Sequence, residues 1–215
     1  MSKVMILTMM SWLMFVSLSA QIPELGTVFT PEELKEANTF SEADYLDKTG
    51  KEIVLMMNLA RMYPKKFADQ FLPEFISGTD EFDRSSNYKS LIKDLKKMQA
   101  APPLKPRKEL YEKAAYHARD MGETGKIGHD AADGTSFQDR MKPLREQFYG
   151  VGENCQYGYN DARYIIVDLL IDEDVPDVGH RKNILDDRFI YSGTAVHEHK
   201  KYSYNSVQIF AADER

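Results

Sequence analysis

The chain has 215 residues, with 34 acidic against 28 basic side chains and a formal net charge of −6. That length suits one domain with an adequate core, and the acidity weighs against nucleic acid or an anionic membrane surface as a partner, since phosphate binding needs clustered Lys and Arg. The single cysteine, Cys155, excludes an internal disulfide, so stability has to come from packing.

The first twenty residues, "MSKVMILTMMSWLMFVSLSA", place Lys3 before an apolar run from Val4 to Val16 and end in small residues up to Ala20. This is the pattern of a secretory signal peptide cleaved after Ala20, and the run is shorter than the roughly 20 apolar residues of a membrane span. Export to the periplasm or the exterior follows. Residues 21–49 read as an N-terminal extension in which "TPEELKEAN" forms a short helix, capped by Thr30 with Pro31 in its first turn. A domain then covers residues 50–215.

From Lys51, Ile53, Leu55, Met56, Leu59, Ala60 and Met62 recur at helical spacing before Pro64. "KKFADQFLPEF" is a second amphipathic piece, "SGTDEFDRSSNY" a polar loop, and "YKSLIKDLKKMQA" a helix stopped by "APPLKP". Leu110, Ala114, Ala118 and Met121 form the apolar stripe of a helix from Arg107 to about Gly122. A Gly- and Asp-rich connection follows, then helices around Gln138–Glu146 and Asp161–Ile171. "FIYSGTAVHEH" and "YSYNSVQIFA" alternate apolar and polar residues and predict a terminal antiparallel hairpin. The fold class is α+β, with helices flanking a small antiparallel sheet.

Four segments carry unusual polar residues: "GKIGHDAADG" with His129, "GVGENC" with Glu153, "VDLLIDEDVPD" with Asp172 and Glu173, and "VGHRKNIL" with His180. His129, Glu153 and His180 each follow a glycine, which permits sharp turns and close backbone approach. Two imidazoles with carboxylates suit a divalent metal, most simply Zn2+ with an open coordination position. Alternatively Glu153 and Asp172 serve as an acid/base pair beside the histidines. The plainer alternative is that each residue caps a helix or pairs at the surface. Cys155 reads as a buried, inert thiol, because nothing near it in sequence lowers its pKa. His117 reads as a histidine packed near the cleft or supporting it from behind, with a ligand role as the alternative; His197 and His199 read as exposed, and Arg140 and Arg181 as partners in surface salt bridges, with pairing to the site carboxylates as the alternative.

The segments "LMMNLARMYP", "YEKAAYHARDM", "GHDAADG", "QDRM", "GVGENC", "LLID", "GHRKNIL" and "SVQIFA" occur in that order over residues 50–212. The series resembles the CAP superfamily of cysteine-rich secretory proteins, antigen 5 and pathogenesis-related proteins, in particular its compact, disulfide-free bacterial SCP-like branch. The resemblance implies an α-β-α sandwich with a central cleft of two histidines and two acids that binds a divalent cation. Matched by motif, those residues are His129, Glu153, Asp172 and His180. Leu169 stands where relatives carry tryptophan, Asp172 replaces the usual glutamate, and Glu173 is the other acid that could fill that role. The resemblance further implies a secreted, non-catalytic binding module for a lipid or a cell-envelope or extracellular partner. The alternative it leaves open is a metal-dependent extracellular hydrolase, peptidase-like, with metal on His129 and His180 and Glu153 as general base.

Overall fold

The structure is a computed structural model and describes residues 23–215. The leader expected over residues 1–20 lies outside the described residues. Two short helices open the chain, α1 (Leu25–Val28) and α2 (Pro31–Ala37). Thr30 caps α2 as the sequence predicts: Glu33 N donates to Thr30 Oγ1 at 3.2 Å, and Thr30 N donates back to Glu33 Oε2 at 2.7 Å. Val28, Phe29, Ala37, Phe40, Ala43 and Leu46 are buried in the same core as the long helix α3 (Lys48–Met62), so residues 25–46 pack into the domain.

"KKFADQFLPEF" is divided between α4 (Pro64–Lys66), a π-helical turn (Phe67–Phe71) and α5 (Leu72–Ser77). The widened turn comes just before Pro73, which has no N–H to continue the regular ladder. Next come α6 (Ser86–Lys97), a two-residue strand β1 (Lys105–Pro106), α7 (Lys108–Thr124) and α8 (Phe137–Gln147). The remaining elements are β2 (Val151–Tyr157), α9 (Ala162–Ile171), α10 (Gly179–Leu185), β3 (Tyr191–His199) and β4 (Ser203–Ala211).

The strands form one sheet in the order β1-β3-β4-β2. The predicted hairpin is β3 and β4, paired from Tyr191↔Ala211 to His199↔Ser203. β2 adds antiparallel to the other side of β4, and β1 pairs parallel with the start of β3, so the sheet is mixed. One apolar core lies between the sheet and α3, α9 and α10; a second lies between the sheet and α7 and α8. β4 feeds both, because alternate side chains point to opposite faces: Phe210 enters the first core, and Val207, Ile209 and Ala211 enter the second. The result is the α-β-α sandwich.

Two features bring these layers close. Gly193 lies so near α7 that a Cβ there would stand 2.0 Å from Tyr111 N, so the helix packs directly on β3. Arg61, fully buried, donates to the carbonyls of Pro102, Ile184, Asp186 and Phe189 and ties α3 to the end of α10 and the approach to β3. Among the described residues no helix is long and apolar enough to cross a membrane.

Candidate functional site

β2 is the strand that sorts the site, since its side chains alternate between the two layers. Glu153, Cys155 and Tyr157 face the α7–α8 layer, where Glu153 meets His117 and Arg140. Asn154 and Gln156 face the other layer, where they bond the His180 carbonyl and Asp168.

The Glu153 side chain has no solvent exposure. Arg140 grips it in a fork, with Nη1 at 3.1 Å from Oε1 and Nη2 at 2.9 Å from Oε2, and also donates to the His129 carbonyl. His129 Nδ1 lies 3.0 Å from Oε1, and His117 Nε2 3.9 Å from the same oxygen. Burial alone would raise the Glu153 pKa, but the bonds from His129 and Arg140 and the Arg140 charge outweigh it and hold the carboxyl below its ordinary value. A carboxylate only accepts, so in the neutral His129 ring Nδ1 carries the proton and the lone pair is on Nε2. The His129 side chain is about half exposed (47%).

The loop carrying His129 is fixed from both sides. Gly128 has φ 109°, which favours glycine, and its N–H donates to Tyr157 Oη at 2.9 Å. Its carbonyl accepts from His117 Nε2 at 2.9 Å. His117 is thereby left with Nδ1 as a lone pair that has no partner, and burial pushes its pKa down. Cys155 Sγ sits 3.7 Å from His129 Nδ1 and 3.8 Å from Glu153 Oε1. Burial and the nearby Glu153 charge push the thiol well above its ordinary range, as expected of an inert cysteine.

The second pair is built on a helix end. Asp172 caps α9 in the left-handed region (φ 59°), and its side chain turns toward α10. Oδ1 accepts from His180 Nδ1 at 2.7 Å, and Oδ2 accepts from the backbone N–H groups of His180 and Arg181 at 2.9 and 3.3 Å. In the neutral His180 ring Nδ1 therefore also carries the proton, and the lone pair is on Nε2. Glu173 instead accepts from Ser85 Oγ at 2.6 Å, so of the two acids it is Asp172 that meets the histidine.

His129 thus pairs with Glu153, and His180 with Asp172. Among the described residues no hydrogen bond or ion pair joins one pair to the other. What links them is β2 itself: Asn154 Nδ2 donates to the His180 carbonyl at 3.1 Å, and Asn183 Nδ2 donates to the Glu153 carbonyl at 3.3 Å.

The sequence pattern of the family described as "CAP: Cysteine-rich secretory protein family" matches residues 56–210. The chain belongs to this family. Solved structures similar to this CAP domain include three bacterial proteins. An extracellular protein containing an SCP domain from Bacillus anthracis is 22% identical, with a TM-score of 0.45 over 59% of this chain and 40% of that one. An outer surface protein from Borrelia burgdorferi is 19% identical, with a TM-score of 0.45 over 61% of this chain and 96% of that one. A cysteine-rich secretory protein from Staphylococcus aureus is 19% identical, with a TM-score of 0.41 over 68% of this chain and 48% of that one. No curated protein matches.

Three expectations are overturned within the CAP domain. Arg140 and Arg181 are buried rather than at the surface, although Arg181 still bridges the half-exposed Asp94. Arg140 is buried on Glu153, and Arg181 (2% exposed) donates to the carbonyls of Leu170, Ile171 and Asn87 as well as to Asp94. His199 is buried rather than exposed, because the tight turn after β3 folds over it: its Nδ1 accepts from Lys201 N and Tyr202 N, and its Nε2 meets the Lys126 carbonyl. One grouping lay beyond sequence reasoning. A ring nitrogen of His117, a Glu153 oxygen and Cys155 Sγ all lie within 4.8 Å of one another, a set that could hold a metal ion. The only signal for it was the position of His117 on the apolar stripe of its helix.

Proposed function

We propose that the protein is an extracellular or periplasmic CAP-domain binding module, non-catalytic, whose central cleft takes a divalent cation. One observation carries the reading: both carboxylates of the cleft are already committed. Each binds the Nδ1 of a histidine, and Glu153 is also held by a buried guanidinium. A general base has to reach a water or substrate proton, and Glu153 is enclosed and depressed in pKa. The same arrangement suits the carboxylate–histidine orientation found behind metal-ligating imidazoles. His129 and His180 would hold the ion through Nε2, with Glu153 and Asp172 as positioning residues behind them. The ion, most simply Zn2+, supplies a Lewis-acidic charge on which an oxygen of a partner can rest.

The partner this suits is a lipid or a component of the cell envelope or extracellular surface. The extracellular and outer-surface descriptions of the similar structures support that setting. The hydrolase alternative keeps the same two histidines but needs a free base, which Glu153 does not offer.

Zinc calorimetry on the purified protein, beside a His129→Ala/His180→Ala double variant, tests the reading. Micromolar or tighter binding to the parent and its loss in the double variant is the expected result. No binding by a folded parent would remove the cation from the function. Zinc-dependent peptide or ester cleavage that survived Arg140→Met but not Glu153→Gln would favour the hydrolase.

A further inference from the structure

The sheet has a second edge, on the far side from β2 and the cleft. β1 covers only its start, at Tyr191 and Ser192. There Arg107 N donates to the Ser192 carbonyl, so the main-chain groups of Ser192 face outward, away from β4. Alternate residues of a strand share that direction, which turns the N–H and C=O of Thr194 and Val196 to the same edge. Among the described residues nothing off the strand ladder bonds to these groups. The next outward carbonyl, that of Glu198, already accepts from His197 Nδ1 at 2.8 Å. Thr194 and Val196 are thus the stretch of β3 left with both main-chain groups free.

A cavity of about 360 Å³ lies along this stretch, within the roughly 300–1,000 Å³ of small-ligand sites. One wall is the segment from Asp44 to Asp47, and the other is the α7 face that carries Tyr111 and Arg119. Tyr45 packs on Tyr111 with ring centroids 5.1 Å apart, at the end nearer β1, where Tyr111 N lies beside Gly193. Arg119 stands toward the other end, since Gly122, close behind it on α7, lies against His197 and Glu198. Thr194 adds an independent sign. It lines the cavity and is 1% exposed, yet its hydroxyl has no hydrogen-bond partner. Buried side-chain hydroxyls are rarely left in that state.

The chemistry selects the occupant. Free N–H and C=O groups on a strand edge recognise another main chain in extended form. The free edge is short, and β1 blocks its continuation past Ser192, so the segment that pairs with it is short as well. The rim carries both signs of charge. Arg119 is exposed and makes no ion pair or hydrogen bond among the described residues; Asp44 is exposed and unpaired too, and Asp47 uses only Oδ1, as the cap of α3. Opposite charges beside one main-chain edge match the two ends of a zwitterion. We propose that this cavity binds a free di- or tripeptide. Its main chain bonds to Thr194 and Val196, its carboxylate rests on Arg119, and its amine faces Asp44 and Asp47. An apolar side chain of the peptide packs on Tyr45 and Leu46. The site shares no residue with the proposed cation cleft and stands or falls independently of it.

The test titrates the purified protein with leucyl-leucine and, in parallel, trialanine by calorimetry, and follows the Thr194 and Val196 amides by heteronuclear NMR and hydrogen exchange. At least one peptide should bind with a dissociation constant below about 1 mM. Saturation should shift both amides and slow their exchange. Acetylating the amine or amidating the carboxylate should each weaken binding about tenfold, and Arg119→Gln should reproduce the loss seen on amidation. Thr194→Val keeps the side-chain shape, so it should fold as well as wild type and bind more weakly; a hydroxyl with a purely structural role would leave binding unchanged. His180→Ala, which removes a cleft residue, should bind the peptide as wild type does. Failure of both peptides to bind overturns the proposal. So does a peptide capped at both ends that binds as tightly as the free one, or a set of shifts that leaves Thr194 and Val196 unmoved.

Discussion

Glu153, an acid/base candidate in the sequence, is held in three dimensions as one half of a buried ion pair. Its carboxylate is the counter-charge of Arg140, which is itself buried. Glu153→Gln leaves that guanidinium without a charge partner in a low-dielectric layer, and such a loss costs about 3–5 kcal/mol. We expect thermal and urea denaturation of Glu153→Gln to show a drop of that order, restored in part by adding Arg140→Met. An unchanged melting temperature would mean that the pair is not coupled. Asp168 behaves in the opposite way. Burial raises its pKa, the Gln156 bond and His180 lower it, and Asp172 raises it again, with a net increase. The folded state therefore holds the Asp168 proton at a pH where the unfolded chain has released it. This carboxyl costs stability above its folded pKa, and the cost disappears as pH falls through that value toward the ordinary aspartate range. Asp168→Asn should melt above wild type at pH 7 and level with it near pH 4; a variant less stable at pH 7 would refute this.

At the scale of elements, the legible ones carried an apolar period. The stripe of Leu110, Ala114, Ala118 and Met121 becomes α7, and the alternation near the C-terminus becomes β3 and β4. β2 was not legible as a strand. "VGENCQY" has helices packed on both of its faces and carries polar side chains toward each, bonded to Arg140, His180 and Asp168, so no apolar alternation marks it. The site was half legible for the same reason. The motif order named His129, Glu153, Asp172 and His180, while the pairing among them depends on which face of β2 each side chain takes. The glycines before these residues also differ in purpose. Gly128 has a positive φ, but Gly152 does not; a Cβ there would meet Phe189 Cζ at 3.0 Å. Where the left-handed region falls on a poor residue, strain results. Val178, at the start of α10, has φ 47° and ψ 47°, in a stretch that also holds Asp172 and Asp174 at positive φ. For a β-branched residue this costs about 1–3 kcal/mol. Val178→Gly should relieve it and raise stability by about 1 kcal/mol despite the greater freedom of glycine in the unfolded chain. A stability loss in urea melts would show instead that the valine side chain contributes more by packing than the backbone loses by strain.

The whole molecule joins two apolar cores through one thin sheet, with no disulfide to hold them together. Whether they melt as one unit depends on what crosses the sheet. β4 places Phe210 in one core and Ile209 in the other, so neither layer can detach without stripping the strand the other uses. Gly193 and Arg61 add backbone-level contact on opposite sides of the same sheet. Leu110, on α7, and Leu170, on α9, are both fully buried, one in each core. Leu110→Ala and Leu170→Ala should each cost about 2–5 kcal/mol, as buried Leu truncations do. If the sheet couples the layers, each variant shifts a single transition to lower urea with an unchanged slope, by fluorescence and far-ultraviolet dichroism alike. If Leu110→Ala splits the curve, so that the α7–α8 layer melts first while the α3–α9 layer persists, the cores are separate cooperative units. The cleft pairs would then lie on a seam that opens before the protein unfolds. The Glu153 side chain and the His180 backbone meet opposite faces of β2, so this outcome would tie the segments that carry His129 and His180 to units of different stability.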